Sequence, residues 1–265
     1  MSSSSQGGRL LVDEPAPHVA RLTISNPGKR GALDRALLDS LPATLAGLSA
    51  RCVVLTGEGS TFSAGYDIGD LPDRAFADEA EKLVANPFEA ALEALAGHPW
   101  PTVAAVNGHA IGGGLELALA CDLRVAADSV RLGMPPAKLG LVYSHTGIRR
   151  FVDAIGGPRT RELFLVGRRI DASTALSWGL VNAVVGTERL AEEALALAVE
   201  IAANAPLAQR GNKRVIQAVL DASTTLTADV QRELLALRDA GFSSEDFREG
   251  VRAFAEKRPP EWHGR

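Results

Sequence analysis

Apolar and polar positions follow two rhythms in the first half of the chain. VARLTI (19–24) alternates every second residue, whereas CVVLTG (52–57), TVAAVN (102–107) and DLRVAA (122–127) are short, mostly apolar runs. Runs of that length predict strands, buried on both faces where the run is unbroken. Between them the apolar spacing lengthens to three and four residues. That spacing predicts helices over GALDRALLDSLPATLAGLS (31–49), with a bend expected near Pro42, and from about Asp78 to Ala96. A long glycine-bearing loop is expected over 57–73. Strands alternating with helices predict an α/β fold with crossover connections.

From Thr146 the pattern is mainly helical, over 146–155, 158–166, 172–178, 188–203, 206–220, 226–240 and 244–256, with one strand at LVNAVV (180–185). No repeat of fixed period is visible. The opening MSSSSQGGRL is polar and low in complexity, so residues 1–9 are expected to be a disordered arm. The remainder divides into an α/β core over 10–200 and a helical region over 201–265, placed to cap the sheets or to meet another subunit.

Composition narrows the function classes. At 265 residues and 46% hydrophobic the chain buries a sizeable core. A net charge of −4 and 5% aromatic residues disfavour a nucleic-acid footprint. No apolar stretch reaches the length of a membrane span, and the N-terminus lacks the apolar segment of a secretory signal. The two cysteines, Cys52 and Cys121, form neither a metal-ligand spacing nor a disulfide framework. A cytoplasmic protein is the expectation.

Candidate chemistry concentrates in HAIGGGLELALACD (109–122), where three glycines precede an acid and an apolar run. Glycine admits close backbone approach, and a helix start presents unpaired N–H groups and positive dipole. The Gly113 amide is thus a candidate donor to an oxyanion, with Glu116 beside it; such a preorganised donor is worth roughly 3–4 kcal/mol. A second donor is offered by TFSAGYDI (61–68), where Gly65 permits a turn exposing the Tyr66 amide. Other motifs fail. GEGSTF (57–62) lacks the third glycine of a dinucleotide fingerprint, and YSHTG (143–147) lacks the first glycine of a nucleophile elbow. His109 and His145 read as packing residues, and the five histidines do not suggest a metal site.

The loop FSAGYDI, the stretch AAVNGHAIGGGLELALACDLRVAA, and the later ALSWGLVNAVV and FREGVRAFAEKR together resemble the enoyl-CoA hydratase/isomerase (crotonase) superfamily, in order, from about residue 10 to 260. The resemblance implies a spiral of ββα units with a helical C-terminal trimerisation region, assembled as a trimer or a pair of trimers. It implies an acyl-CoA thioester as substrate, coenzyme A being part of the substrate and no separate cofactor or metal being required. The matching positions are the oxyanion amides of Tyr66 and Gly113, the acid Glu116, and a CoA-contacting set of Ala64, Asp67, Ile68, Phe254 and Lys257, the last two often serving a neighbouring subunit.

One departure matters. Family hydratases carry a second glutamate in a later loop, which here reads RLGMPPAKLGLVY (131–143) with Pro136 at that position. Proline has no proton to give, so the two-acid scheme lacks a member. LGLVYSHTGIRR and SSEDFREGVRAFAEKR are similar to methylmalonyl-CoA decarboxylases of the same superfamily, in which a tyrosine matches Tyr143 and a histidine matches Tyr66. The expectation is a hydratase-like acyl-CoA lyase with one catalytic glutamate, Glu116, aided by Tyr143. The alternatives are a decarboxylase of a malonyl-type acyl-CoA and a non-catalytic acyl-CoA- or RNA-binding member.

Overall fold

The computed structural model describes residues 7–66, 87–222 and 227–263. Two sheets organise them. The larger runs β1 (Arg9–Ala16), β2 (Val19–Ser25), β3 (Cys52–Gly57), β5 (Thr102–Val106), β7 (Leu123–Ala127) and β10 (Ala183–Val185), in that spatial order. Only the β1–β2 pairing is antiparallel; every later pairing in that sheet is parallel. The smaller sheet orders β4 (Thr61–Ser63), β6 (His109–Ile111), β8 (Arg131–Gly133) and β9 (Arg169–Asp171).

The apolar runs behave as a parallel interior sheet requires. Every residue of β5 is buried, and so are five of the six in β3, because helices cover both faces. Helix α1 (Arg35–Ala46) buries Leu37, Leu38, Leu41 and Leu45, each worth about 1.5–3 kcal/mol of transfer free energy. It packs on α2 (Glu89–Ala96). Helix α6 (Leu190–Ala203) lays its small face, Ala194, Ala198 and Ala202, across β3, β5 and β7.

Each core strand turns a corner into the smaller sheet: β3 into β4, β5 into β6 and β7 into β8. The corners stack closely. A Cβ on Gly108 would lie 2.0 Å from the Ser60 carbonyl oxygen, and one on Gly57 would lie 2.2 Å from that of Thr61. Asn107 joins adjacent corners. Its Oδ1 accepts from the Gly57 amide at 3.0 Å, and its Nδ2 donates to the carbonyls of Gly57 and Gly59 at 2.9 and 2.8 Å. Helix α3 (Gly113–Leu119) follows the second corner, and all seven of its residues are buried.

Beyond it run α4 (His145–Arg161), α5 (Ala172–Trp178), α7 (Pro206–Ala222), α8 (Ala228–Ser243) and α9 (Glu245–Glu256). Lys213 ties α7 to the core, its Nζ donating to Asp122 at 2.7 Å and to the Trp100 carbonyl at 3.1 Å. Helix α9 rests on a 3-10 turn at Pro136–Leu139. Backbone meets backbone there: a Cβ on Gly250 would come within 2.6 Å of Leu139, and one on Gly140 within 2.7 Å of Asp246. Leu207 and Val219 on α7 stay 84% and 64% exposed in the single chain.

Several expectations shift. Only residues 1–6 of the arm lie outside the described set: the Gly8 amide donates to Asp34 at 2.5 Å and Arg9 opens β1, a strand the pattern did not show. The helix expected over 31–49 shortens to α1, because Asp34 caps it by accepting from the Leu37 amide at 3.0 Å. That helix continues through Pro42. The loop expected over 57–73 contains β4, and its part from 67 lies outside the described residues, as does the helical expectation from Asp78 through 86. The strand at 180–185 shrinks to β10. The helical segments 146–155 and 158–166 join through a kink at Gly156, whose φ of 73° no other residue adopts cheaply, and the last turn at Glu162–Val166 is a π-helix.

Removing the Asn107 side chain leaves the Gly57 amide and two carbonyls without their partner. Asn107→Ala is expected to lower the unfolding free energy by about 2–4 kcal/mol. Urea denaturation checks this, and a loss below about 0.5 kcal/mol, the scale of a neutral surface change, would remove the corner from the account of stability.

Candidate active site

Two backbone segments and two helices converge on Glu116. Helix α3 begins directly after Gly112, whose φ of 56° and ψ of −125° suit glycine alone. Gly114 lets the helix start press on β4, since a Cβ there would sit 2.5 Å from the Ser63 carbonyl oxygen. Gly65, at φ 90°, brings the neighbouring loop to the same place: a Cβ on it would lie 2.7 Å from the Ile111 oxygen and 3.4 Å from the Gly113 nitrogen. The sequence thus spends its glycines on bringing the Tyr66 and Gly113 backbones together. Among the described residues neither of those two amides has an acceptor. Two free N–H groups beside a helix N-terminus can receive a developing oxyanion.

Glu116 is 1% exposed. The Tyr143 hydroxyl donates to its Oε2, and Arg150 Nη1 donates to its Oε1 at 3.0 Å. Both partners flank the start of α4, which Ser144 caps by accepting from the Gly147 amide at 3.1 Å. Gly147 allows the approach, because a Cβ there would meet Tyr143 at 2.6 Å and Glu116 at 2.8 Å. Burial raises the Glu116 carboxyl above its ordinary range, and the Tyr143 hydrogen bond and the Arg150 charge oppose that shift. Burial and the nearby Glu116 charge push both the Tyr66 and Tyr143 hydroxyls well above the usual phenol range. Both tyrosines therefore stay protonated at neutral pH and can act as hydrogen-bond donors.

A cleft opens beside this group, walled by Tyr66, Phe88, Glu89, Glu116, Tyr143 and Arg238. The Tyr66 ring stands edge-on to Phe88 at 4.8 Å and lies directly over Gly113, whose Cβ, if present, would be 3.0 Å from it. Arg150 lines instead a wider groove of about 710 Å³ under α7.

A family model described as enoyl-CoA hydratase/isomerase matches residues 14–265. The chain belongs to the enoyl-CoA hydratase/isomerase family. It is 38% identical to a carnitinyl-CoA dehydratase of Proteus mirabilis over 82% of this chain and 83% of that one. It is 34% identical to a probable enoyl-CoA hydratase of Mycobacterium bovis over 95% and 97%. Among solved structures, methylmalonyl-CoA decarboxylase in complex with 2-nitronate-propionyl-CoA superposes with a TM-score of 0.88 at 30% identity, covering 97% of this chain and 99% of that one. Enoyl-CoA hydratase from Bacillus anthracis gives 0.76 at 33% identity, covering 97% and 100%. The crotonase-type α/β fold expected from the motifs is the fold of this enoyl-CoA hydratase/isomerase family member.

The structure gathers Glu116, Tyr143, Tyr66 and Gly113 into one site, with Ala64 exposed at its edge on the Gly65 loop. Asp67 and Ile68 lie outside the described residues. Phe254, 67% exposed, and Lys257, which ends α9 at φ 56°, do not wall the cleft within this chain. Pro136 is buried under α9 and does not wall it either. His109 is structural, its Nδ1 accepting from the Arg131 amide at 3.1 Å. Sequence reasoning missed Arg150, Glu89 and Arg238. Arg150 had little local signal: it lies on the second turn of α4, whereas Tyr143 precedes the helix N-cap, so no helical spacing relates the two. Glu89 and Arg238 had none, since only tertiary packing brings them to the cleft.

The raised Glu116 carboxyl fixes a sign. Its protonation favours the folded state, and that contribution is lost as pH rises from the ordinary value of 4.5 through the raised folded value. Glu116→Gln removes this titration and keeps an acceptor for Arg150. Its stability relative to the parent chain should therefore rise between pH 5 and pH 8 in urea titrations. The opposite trend would show that the carboxylate is net stabilised where it lies.

Proposed function

We propose that this family member is an acyl-CoA lyase working through a thioester enolate, and that it decarboxylates a malonyl-type acyl-CoA. The observation that carries this is the state of Glu116: its carboxylate is held by Tyr143 and Arg150, and the turn where a second acid is expected presents buried Pro136. Hydration by two acids needs one group to activate water and another to protonate Cα. Decarboxylation needs neither step to start. The bond between Cα and the carboxyl carbon breaks, CO2 leaves, and the electron pair passes into the thioester as an enolate. The amides of Tyr66 and Gly113 receive the enolate oxygen, and their fixed orientation costs no reorganisation. Cα then takes a proton through the Tyr143 hydroxyl, which Glu116 orients. The higher TM-score to methylmalonyl-CoA decarboxylase supports the same reading.

Hydration is the second reading. It is favoured by Glu89, which walls the same cleft as Glu116, and by the hydratase names of the curated relatives. We further propose that Phe254 and Lys257 meet the CoA moiety bound at a neighbouring subunit, since both are remote from the cleft of their own chain.

Mass spectrometry after incubation with methylmalonyl-CoA and crotonyl-CoA separates the two. Loss of CO2 from the first, with the second unchanged, is expected. Addition of water to crotonyl-CoA with methylmalonyl-CoA intact would overturn decarboxylation and make Glu89 the second acid. Tyr143→Phe should lower kcat by roughly 10²–10⁴-fold while leaving product binding intact; turnover within a factor of two of the parent would remove the proton-delivery role.

A further inference from the structure

Arg238 stands in the wall of the cleft, and neither the oxyanion amides nor the Glu116 group uses it. It lies on α8, one turn before Phe242, and its guanidinium stacks over that ring at 5.4 Å. Phe242 is itself 3% exposed and packed edge-on against Phe247 of α9. The stacking surface is therefore fixed, and a guanidinium held on a fixed ring keeps its N–H edge directed with little entropy left to lose. Among the described residues Arg238 has no carboxylate within ion-pair distance. Its charge nevertheless reaches the reaction centre, favouring the ionised form of the Tyr66 hydroxyl.

The contrast with Arg150 is instructive. Arg150 does not wall the cleft and is paired with Glu116 at 3.0 Å, whereas Arg238 stands in the cleft wall. The cleft also holds two carboxylates, Glu89 and Glu116. A third negative charge brought in on a substrate would meet repulsion unless a cation were available to it. Among the described residues Arg238 is the cation in the wall, and it is in no ion pair there. Guanidinium is the side chain whose geometry matches a carboxylate, two parallel N–H groups to two oxygens.

We infer that Arg238 is the recognition residue for a free carboxylate on the acyl group, so that the site selects carboxylated acyl-CoA thioesters over neutral ones of equal length. This deepens the decarboxylase reading, on which it rests for the identity of the substrate, but it concerns binding and not bond cleavage. It also assigns α8 a function in the site: the helix brings a guanidinium into the cleft wall.

The test is a matched pair of thioesters, succinyl-CoA and butyryl-CoA, which share chain length and differ in the terminal carboxylate. Dissociation constants are measured by calorimetry on the full chain. Arg238→Met is expected to weaken succinyl-CoA by roughly tenfold to a hundredfold, the span of a hydrogen-bonded charge, while butyryl-CoA changes less than about twofold. Arg238→Lys should recover part of the loss, because a point charge replaces the fork. Equal weakening of both thioesters would place Arg238 on the CoA moiety and overturn the assignment. So would unchanged affinity for both. Retained butyryl-CoA binding is the control for folding. If methylmalonyl-CoA is not decarboxylated but the succinyl-CoA effect is found, the reaction reading fails and carboxylate recognition stands. If decarboxylation is found and Arg238→Met leaves the ratio unchanged, the reverse holds.

Discussion

A carboxylate that is 1% exposed needs partners, and Glu116 draws them from beyond its own helix. The Tyr143 hydroxyl reaches it from just before the N-cap of α4, and the Arg150 guanidinium from that helix's second turn. Removing one partner from a buried pair of this kind typically costs about 3–5 kcal/mol, because the remaining charge is left desolvated. The contact is therefore more than a local bond. It sets the distance between α3 and α4 and closes one side of the cleft. It also decides which groups are free for chemistry, since an acid already bonded to a phenol and a guanidinium is poorly placed to activate water.

The second constraint is the distance between backbones. Gly57, Gly108, Gly65 and Gly114 all stand where a Cβ would come within 3 Å of another strand's or loop's carbonyl oxygen. Those contacts stack the corners between the two sheets, and the same stacking brings the amides of Tyr66 and Gly113 to one point. Scaffold and site thus share one geometric requirement. Asn107 meets the polar half of it by pairing with the backbone groups that the corner leaves open.

The parts of the molecule legible in the sequence are those fixed by local rules. The mostly apolar run of TVAAVN predicts a strand buried on both faces, and β5 is one. The glycine run before Glu116 marks a helix start with close contacts, and α3 has them. The short strands of the smaller sheet were illegible because HAI and RLG are too short for alternation to register. The strand at Arg9–Ala16 was hidden for another reason. As an edge strand with mostly exposed residues it carries charges, Asp13 pairing with Arg21 across to β2, and so lacks an apolar signature. Glu116 and Tyr143 were each legible as candidates through the family resemblance, though not their hydrogen bond, whereas Glu89 and Arg238 come from helices distant in sequence. No local rule connects them.

The Pro136 turn shows why a missing acid need not leave a defect. In this chain the turn is a seat. Leu139 and Gly140 take α9 in backbone-to-backbone contact at Gly250 and Asp246, and the turn's buried proline closes the packing beneath. An ionised glutamate in that position would have to be desolvated against α9 or would hold the helix away. Seating α9 in turn places Phe247 against Phe242, and Phe242 is the surface on which Arg238 rests. Pro136 and Arg238 are thus joined through one short packing path.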